Sequence, residues 1–266
     1  MIIINFFPGA MGSMVLNTIH AHWPKFFPLN KSINQLDYSN HSACPDLFLA
    51  NQSEISESDY ATLLTLANKP SLVLIHTLEL IPDSVKSQAW VCNIGCSDQS
   101  QTTATFLFWV KSSDYMFDYI NSKSTTDFYQ SAFVQLIRFL KMNTYSTGQL
   151  NINFEDLHSL DAVLPVLDQV CNEYSLPNYT PRNQWYRENH ARSMLPVTVF
   201  SEIYAKFCLI FGVMQSAYKQ QIPIGDSTEY TQFFNKSQQL DFCGCIDFFY
   251  NFRQQFSNQQ NIIQKL

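Results

Sequence analysis

Three short apolar runs in this chain end in residues able to do chemistry. The first, Ile2-Ile3-Ile4-Asn5-Phe6-Phe7, gives way to Pro8-Gly9-Ala10-Met11-Gly12-Ser13 and then to Met14-Val15-Leu16-Asn17-Thr18-Ile19. A strand that turns tightly into a helix gathers unpaired backbone N–H groups and the positive end of the helix dipole at one point, which is how a phosphate is held. The turn lacks a Gly-Lys-Ser/Thr ending, which weighs against an ATP- or GTP-hydrolysing loop. An ordinary strand–helix corner is the other reading of these residues. The second run, Leu72-Val73-Leu74-Ile75, ends at His76. An imidazole titrates near neutrality and suits proton transfer, although a strand-end histidine also serves as a purely structural hydrogen-bonding group. The third run, Leu150-Asn151-Ile152-Asn153-Phe154, meets Glu155-Asp156-Leu157-His158. Here Asp156 or Ser159 reads as a helix cap before it reads as part of an acid–base pair.

The elements that must position these residues alternate between strand and helix. Residues 24–57 form a polar connection holding a short strand at Leu47-Phe48-Leu49, and Ser58 caps a helix running to Asn68. A further strand spans Ala89 to Ile94, helical spacing covers 104–121 and 128–142, and an amphipathic helix carries Leu160, Leu164, Leu167, Cys171 and Tyr174. Such alternation predicts a parallel α/β sheet with ligands at the carboxyl ends of its strands. The expected architecture is three-layered, with a central parallel sheet and a mainly helical C-terminal third. It is read as a single domain of 266 residues, an α/β core over 1–176 and a helical cap or flank over 177–266.

Composition narrows the function classes. A hydrophobic fraction of 46% with 15% aromatics implies a packed core, and a net charge of -6 argues against a nucleic-acid partner. Only 14% of residues are charged, so the polar surface is largely Asn, Gln and Ser and is compatible with a homo-oligomer. The start has no basic region followed by a cleavage site, and Phe207 to Met214 is too short to span a bilayer. A cytoplasmic protein is expected. The seven cysteines, an odd number, predict free thiols instead of a disulfide framework. Neither Cys92/Cys96 nor Cys243/Cys245 has zinc-ligand spacing, so no metal is expected. His20 and His22, beside Trp23-Pro24, read as helix-end carbonyl caps or solvated side chains.

In order and spacing, three segments of the chain resemble the P-loop sulfotransferases of cytosolic type. These enzymes move a sulfuryl group from 3′-phosphoadenylyl sulfate (PAPS) to a hydroxyl or amine. Phe7 to Val15 is similar to the family's Tyr-Pro-Lys-Ser-Gly-Thr-Thr-Trp, with one extra residue after the proline. The resemblance implies that Gly9, Ala10, Met11, Gly12, Ser13 and Met14 cradle the 5′-phosphosulfate, with Ala10 standing where the family has its lysine. Pro70 to Pro82 is similar to Pro-Arg-x-x-Lys-Thr-His-Leu-Pro, which makes His76 the general base, with Leu74 in the lysine position. After the strand ending at Ile94, Gly95 takes the place of a 3′-phosphate-binding arginine and Thr103 that of its serine partner. Asn151 to Leu157 resembles the family's Tyr-Glu-Asp-Leu, and the likeness extends over about residues 1–175.

The late Arg-Lys-Gly-x-x-Gly motif of that family is absent. A local basic stretch, Arg182, Arg187 and Arg192 around Trp185-Tyr186, offers Arg187 and Arg192 as substitutes, with a solvated helix face as the alternative. The resemblance thus implies a divergent PAPS-dependent sulfotransferase with an unknown acceptor. Its alternative is a degenerate relative, retained as a binding or interaction module.

Overall fold

The structure is a computed structural model and describes residues 1–28, 46–49, 54–111, 136, 138–142, 148–199 and 201–220. Its chain divides into two compact units. The first comprises 1–36, 40–108 and 143–195; the second comprises 37–39, 109–142 and 196–266.

The first unit is built on a five-stranded sheet, β1 Ile2–Phe6, β2 Leu47–Leu49, β3 Leu72–Ile75, β4 Trp90–Gly95 and β5 Leu150–Asn153, in the order β2-β3-β1-β4-β5. Every pairing is parallel. The parallel strands explain the unbroken apolar runs: β1, β3 and β4 are buried along their whole length, so both faces need apolar side chains. The unit also holds α1 Gly12–His22, α2 Glu57–Ala67, α3 Asp83–Lys86, residues 98–108 of α4 Asp98–Lys111, and α5 Leu164–Glu173. On one face Ile3, Val73, Ile75 and Val91 pack with Leu63 and Leu66 of α2 and Val85 of α3. On the other, the indole N–H of Trp90 donates to Gln169 of α5 at 2.9 Å, and the Phe6 ring lies against Gly12 at the start of α1. The protein is therefore an α/β fold, a parallel sheet flanked by helices.

Two further helices, α6 Asn183–Val199 and α7 Ser201–Lys219, make the described C-terminal region mainly helical.

Several boundaries differ from the sequence reading. Helix α2 is capped by Ser56, whose hydroxyl accepts from the Asp59 amide at 3.1 Å, instead of by Ser58. Helix α4 begins at Asp98, six residues ahead of the first residue with apolar spacing, because its buried positions Ser100, Gln101, Thr102 and Thr103 are polar. The segment after β5 is not a continuous helix. Two 3₁₀ turns, Phe154–His158 and Leu160–Ala162, precede α5, which starts beside Pro165. Of the helix expected over 128–142, residues 136 and 138–141 are described and helical. The segment holding Cys243 and Cys245 lies outside the described residues.

Candidate functional site

The connection from β1 leads past β3 to β2, whereas the connection from β4 leads the other way, to β5. At the carboxyl ends of β1 and β4 the chain therefore diverges to opposite sides, and that is where open parallel sheets bind ligands. The Pro8–Ser13 turn stands there. Phe7, Pro8, Gly9 and Ala10 form a turn closed by the Ala10 amide donating to the Phe7 carbonyl at 2.8 Å, with Gly9 at φ 83°. Proline second and glycine third is the sequence signature of a type II turn, whose third residue requires positive φ.

Met11 follows as the N-cap of α1, at φ 60° and ψ 24°. A left-handed conformation costs a residue with a Cβ roughly 1–2 kcal/mol. It also turns successive amides the same way. A left-handed residue followed by a right-handed helical one creates a concave nest of N–H groups that suits an anion. Among the described residues the N–H groups of Met11, Gly12 and Ser13 make no hydrogen bond, whereas those of Met14 and Val15 both donate to the Met11 carbonyl. The surroundings are tight. Pro8, Ala10, Met11, Gly12 and Met14 are buried, leaving Gly9 and Ser13 as the half-buried rim.

Gly9 and Gly12 each mark a close approach. A Cβ on Gly9 would lie 1.9 Å from the Ala104 carbonyl oxygen of α4, and one on Gly12 would lie 2.4 Å from the Phe6 ring. Ala10 is fully buried, so no longer side chain at its place would reach solvent without displacing its neighbours.

His76 follows β3 directly, one strand over from the turn. Its amide donates to the Leu49 carbonyl at 3.2 Å. Its ring meets Phe6 edge-on at a centroid distance of 4.7 Å and Phe48 at 5.2 Å, and the residue is 6% exposed. Phe6 touches both Gly12 and His76 and so joins turn and imidazole through one aromatic ring. Neither Phe6 nor Phe48 was singled out from the sequence, where both read as ordinary strand residues.

The remaining candidates lie elsewhere. Thr103 is buried in α4, and its hydroxyl donates to the Gln99 carbonyl of its own helix at 3.4 Å. Arg187 and Arg192 are exposed on α6, and the Arg187 Nε donates to the Asn183 carbonyl at 3.4 Å. No hydrogen bond or ion pair among the described residues joins either arginine to the turn. Ser159 caps the second 3₁₀ turn by accepting from the Asp161 amide, and Asp156 accepts from the Asn153 side chain at 3.0 Å. At the end of α1, His20 and His22 contact the Phe27 and Thr18 carbonyls.

Two polar arrangements at this edge carry no local sequence signal. Asn5, Asn93 and Asn151, in register on three adjacent strands, form a ladder of side-chain amides: Asn5 donates to Asn93 at 2.9 Å and Asn93 to Asn151 at 3.1 Å. Beyond the end of β4, Ser97 caps α4, accepting from the Ser100 amide at 3.3 Å, and its own hydroxyl donates to the Glu155 carboxylate. Burial alone would raise the Glu155 carboxyl. Hydrogen bonds from the Ser97 and Ser100 hydroxyls and from backbone amides outweigh it and hold the group below the usual carboxylate range, so the side chain is ionised at neutral pH. Cys96, next to Ser97, is buried and its thiol is pushed up to about 12 by desolvation.

Among the described residues, no group of three or more His, Cys, Asp or Glu side chains is placed to hold a metal ion. No described helix is long and apolar enough to cross a membrane. Comparison with protein-family models, with curated proteins and with solved structures gave no match.

Proposed function

We propose that this protein binds the phosphate group of a nucleotide-type ligand at the Met11–Ser13 amides, as a binding module in which sulfuryl-transfer chemistry is lost. The observation that carries this reading is the left-handed Met11, which bears backbone strain and leaves three consecutive amides at the start of α1 without an acceptor among the described residues. Strain at a non-glycine residue persists where the surrounding structure over-determines it, and such residues cluster at ligand sites. The positive end of α1 adds to the attraction for an anion.

Loss of transfer chemistry follows from what the sulfotransferase resemblance would need. A leaving sulfuryl group develops negative charge on the bridging oxygen, and Ala10 supplies no cation to meet it. Gly95 supplies none at the end of β4, the Thr103 hydroxyl donates to the Gln99 carbonyl of its own helix, and among the described residues neither Arg187 nor Arg192 is bonded to the turn.

Calorimetry with inorganic pyrophosphate tests the site. Micromolar to low-millimolar binding is expected for the native chain. Ser13→Asp places a carboxylate in the first turn of α1, where it favours the helix but competes with the ligand. Binding should fall at least tenfold with no drop in melting temperature; no binding to the native chain refutes the reading.

A second reading, the divergent sulfotransferase using PAPS as co-substrate, is favoured by one observation: His76 follows the strand adjacent to β1 and shares the Phe6 ring with the turn. It requires transfer of labelled sulfate from PAPS to a phenol or amine, abolished by His76→Gln.

A further inference from the structure

Between α5 and α6, residues 176–182 run without helix or strand. The chain leaves α5 through Ser175 at φ 50°, with the Leu176 amide donating to the Cys171 carbonyl at 2.9 Å. Beyond that point residues 177–181 make no backbone-to-backbone hydrogen bond among the described residues, and Pro177 and Pro181 have no N–H to give. Asn178, Thr180 and Pro181 are exposed. Side chains hold the segment in place. The Trp23 indole N–H donates to the Pro177 carbonyl at 3.0 Å, and the Tyr179 hydroxyl donates to Asp168 of α5 at 2.6 Å. The Tyr179 ring stands edge-on to His22 at 5.2 Å and to the buried Trp23 at 5.4 Å. At the start of the segment the Cys171 thiol donates to the Leu176 carbonyl at 3.3 Å.

One member of this cluster changes charge near neutrality. The His22 Nδ1 lies 2.7 Å from the Thr18 carbonyl, which can only accept, so a neutral ring carries its proton there. Nε2 is then a bare lone pair, enclosed and with no well-formed hydrogen bond among the described residues. Around the ring stand Trp23, Tyr179 and the Thr180 backbone, Arg182 just ahead of α6, and, beyond the Tyr179 hydroxyl, Asp168 and Cys171 of α5. We propose that residues 177–181 form an acid-released strap, held against Trp23 while His22 is neutral and freed when Nε2 takes a proton. That proton would place a charge on a ring shielded by two aromatic side chains and near the Arg182 guanidinium. Desolvation is the largest effect on the ring; the Thr18 carbonyl opposes it, Arg182 reinforces it and the Thr180 backbone opposes it, leaving the group below 6.5. Opening the strap returns the ring to water, where it takes up the proton at its ordinary value, so acid favours the open form. With only side-chain bonds to break, the segment can open while the sheet stays folded.

Cys171 reports the opening, because its thiol is half-buried and bonded to the start of the strap. The experiment follows its labelling by 4,4′-dithiodipyridine at pH 7.5 and 5.5, located by peptide mass and divided at each pH by the rate in the denatured chain. For the native chain the divided rate should rise about three- to tenfold at pH 5.5, the upper figure being one proton over one pH unit below 6.5. Cys92, fully buried in β4, should stay unlabelled at both values and so show that the sheet is intact. His22→Gln, which keeps a donor for the Thr18 carbonyl but takes no proton, should give the same divided rate at both pH values. Tyr179→Phe, which loses the bond to Asp168, should label faster than the native chain already at pH 7.5 and still respond to acid through His22. An unchanged native rate on acidification, an equal rise in His22→Gln, or a Tyr179→Phe rate no higher than the native one at pH 7.5 overturns the proposal. Labelling of Cys92 in step with Cys171 also overturns it, since the opening would then be global unfolding.

Discussion

Gly9 cannot carry a side chain. A Cβ there would sit 1.9 Å from a backbone carbonyl of α4, and backbone cannot swing aside as a flexible side chain can. Its φ of 83° adds a left-handed strain that only glycine escapes. Gly9→Ala should therefore cost about 3 kcal/mol, the sum of a typical overpacking penalty and a left-handed one, read as a lower urea midpoint at unchanged slope. A loss below about 1 kcal/mol would mean that α4 does not press on the turn. Cys92 and Cys96 give a second measurement at this scale. Desolvation pushes both thiols up to about 12, and both are fully enclosed. The reactive thiolate is then nearly absent at neutral pH. Iodoacetamide mapping of the native protein should leave these two unmodified, and denaturation should expose them. Rapid native labelling of Cys96 would show that the end of β4 is open.

At the scale of elements, the asparagine ladder fixes how three strands meet. Asn93 donates to one neighbour and accepts from the other while only 2% exposed, so Asn93→Ala would strip partners from Asn5 and Asn151 at once. A net loss of about 2 kcal/mol is expected, since each bond is worth about 1 kcal/mol. Asn93→Asp keeps the shape and one acceptor but places a charge in the buried row, and should destabilise more. Both are checked by chemical denaturation. A stable Asn93→Asp would mean that the row is hydrated.

The same elements show what a sequence discloses. The runs Ile2–Phe6 and Leu72–Ile75 were legible because parallel strands buried on both faces leave a continuous apolar signature, and Pro8-Gly9 announces its turn. Helix α4 was legible only from residue 104 on. Its first turns bury Ser100, Gln101 and Thr102, and a polar buried face gives no apolar period to detect. Met11 in the left-handed region was invisible, because methionine has no tendency to sit there and tertiary packing decides it. The Asn5–Asn93–Asn151 row and the Ser97–Glu155 bond join residues that only the strand order brings together, so spacing along the chain could not disclose them.

Across the sheet-bearing unit as a whole, three ionisable groups make stability depend on pH in one direction. His22 lies below its ordinary value of 6.5 chiefly through desolvation, aided by Arg182 and partly opposed by its bond to the Thr18 carbonyl. His190 lies below 6.5 through desolvation and the neighbouring His158. In both cases the folded state resists a proton that the unfolded chain accepts. As pH falls through 6.5 the unfolded state binds more protons, and stability is lost until the lower folded values are passed. Glu155 continues the trend in a more acidic window. Its folded value lies below 4.5, so its contribution is present above that value and disappears as pH falls through the folded one. On the acid side of neutrality, urea midpoints should therefore fall between pH 7 and 5 and fall again below 4.5. His22→Gln, which keeps a polar group at the end of α1 but cannot take up the proton, should flatten the first decline, and Glu155→Gln the second. A midpoint that rises on acidification from pH 7 to 5 would mean that the histidines gain partners on folding, reversing the desolvation seen around both rings.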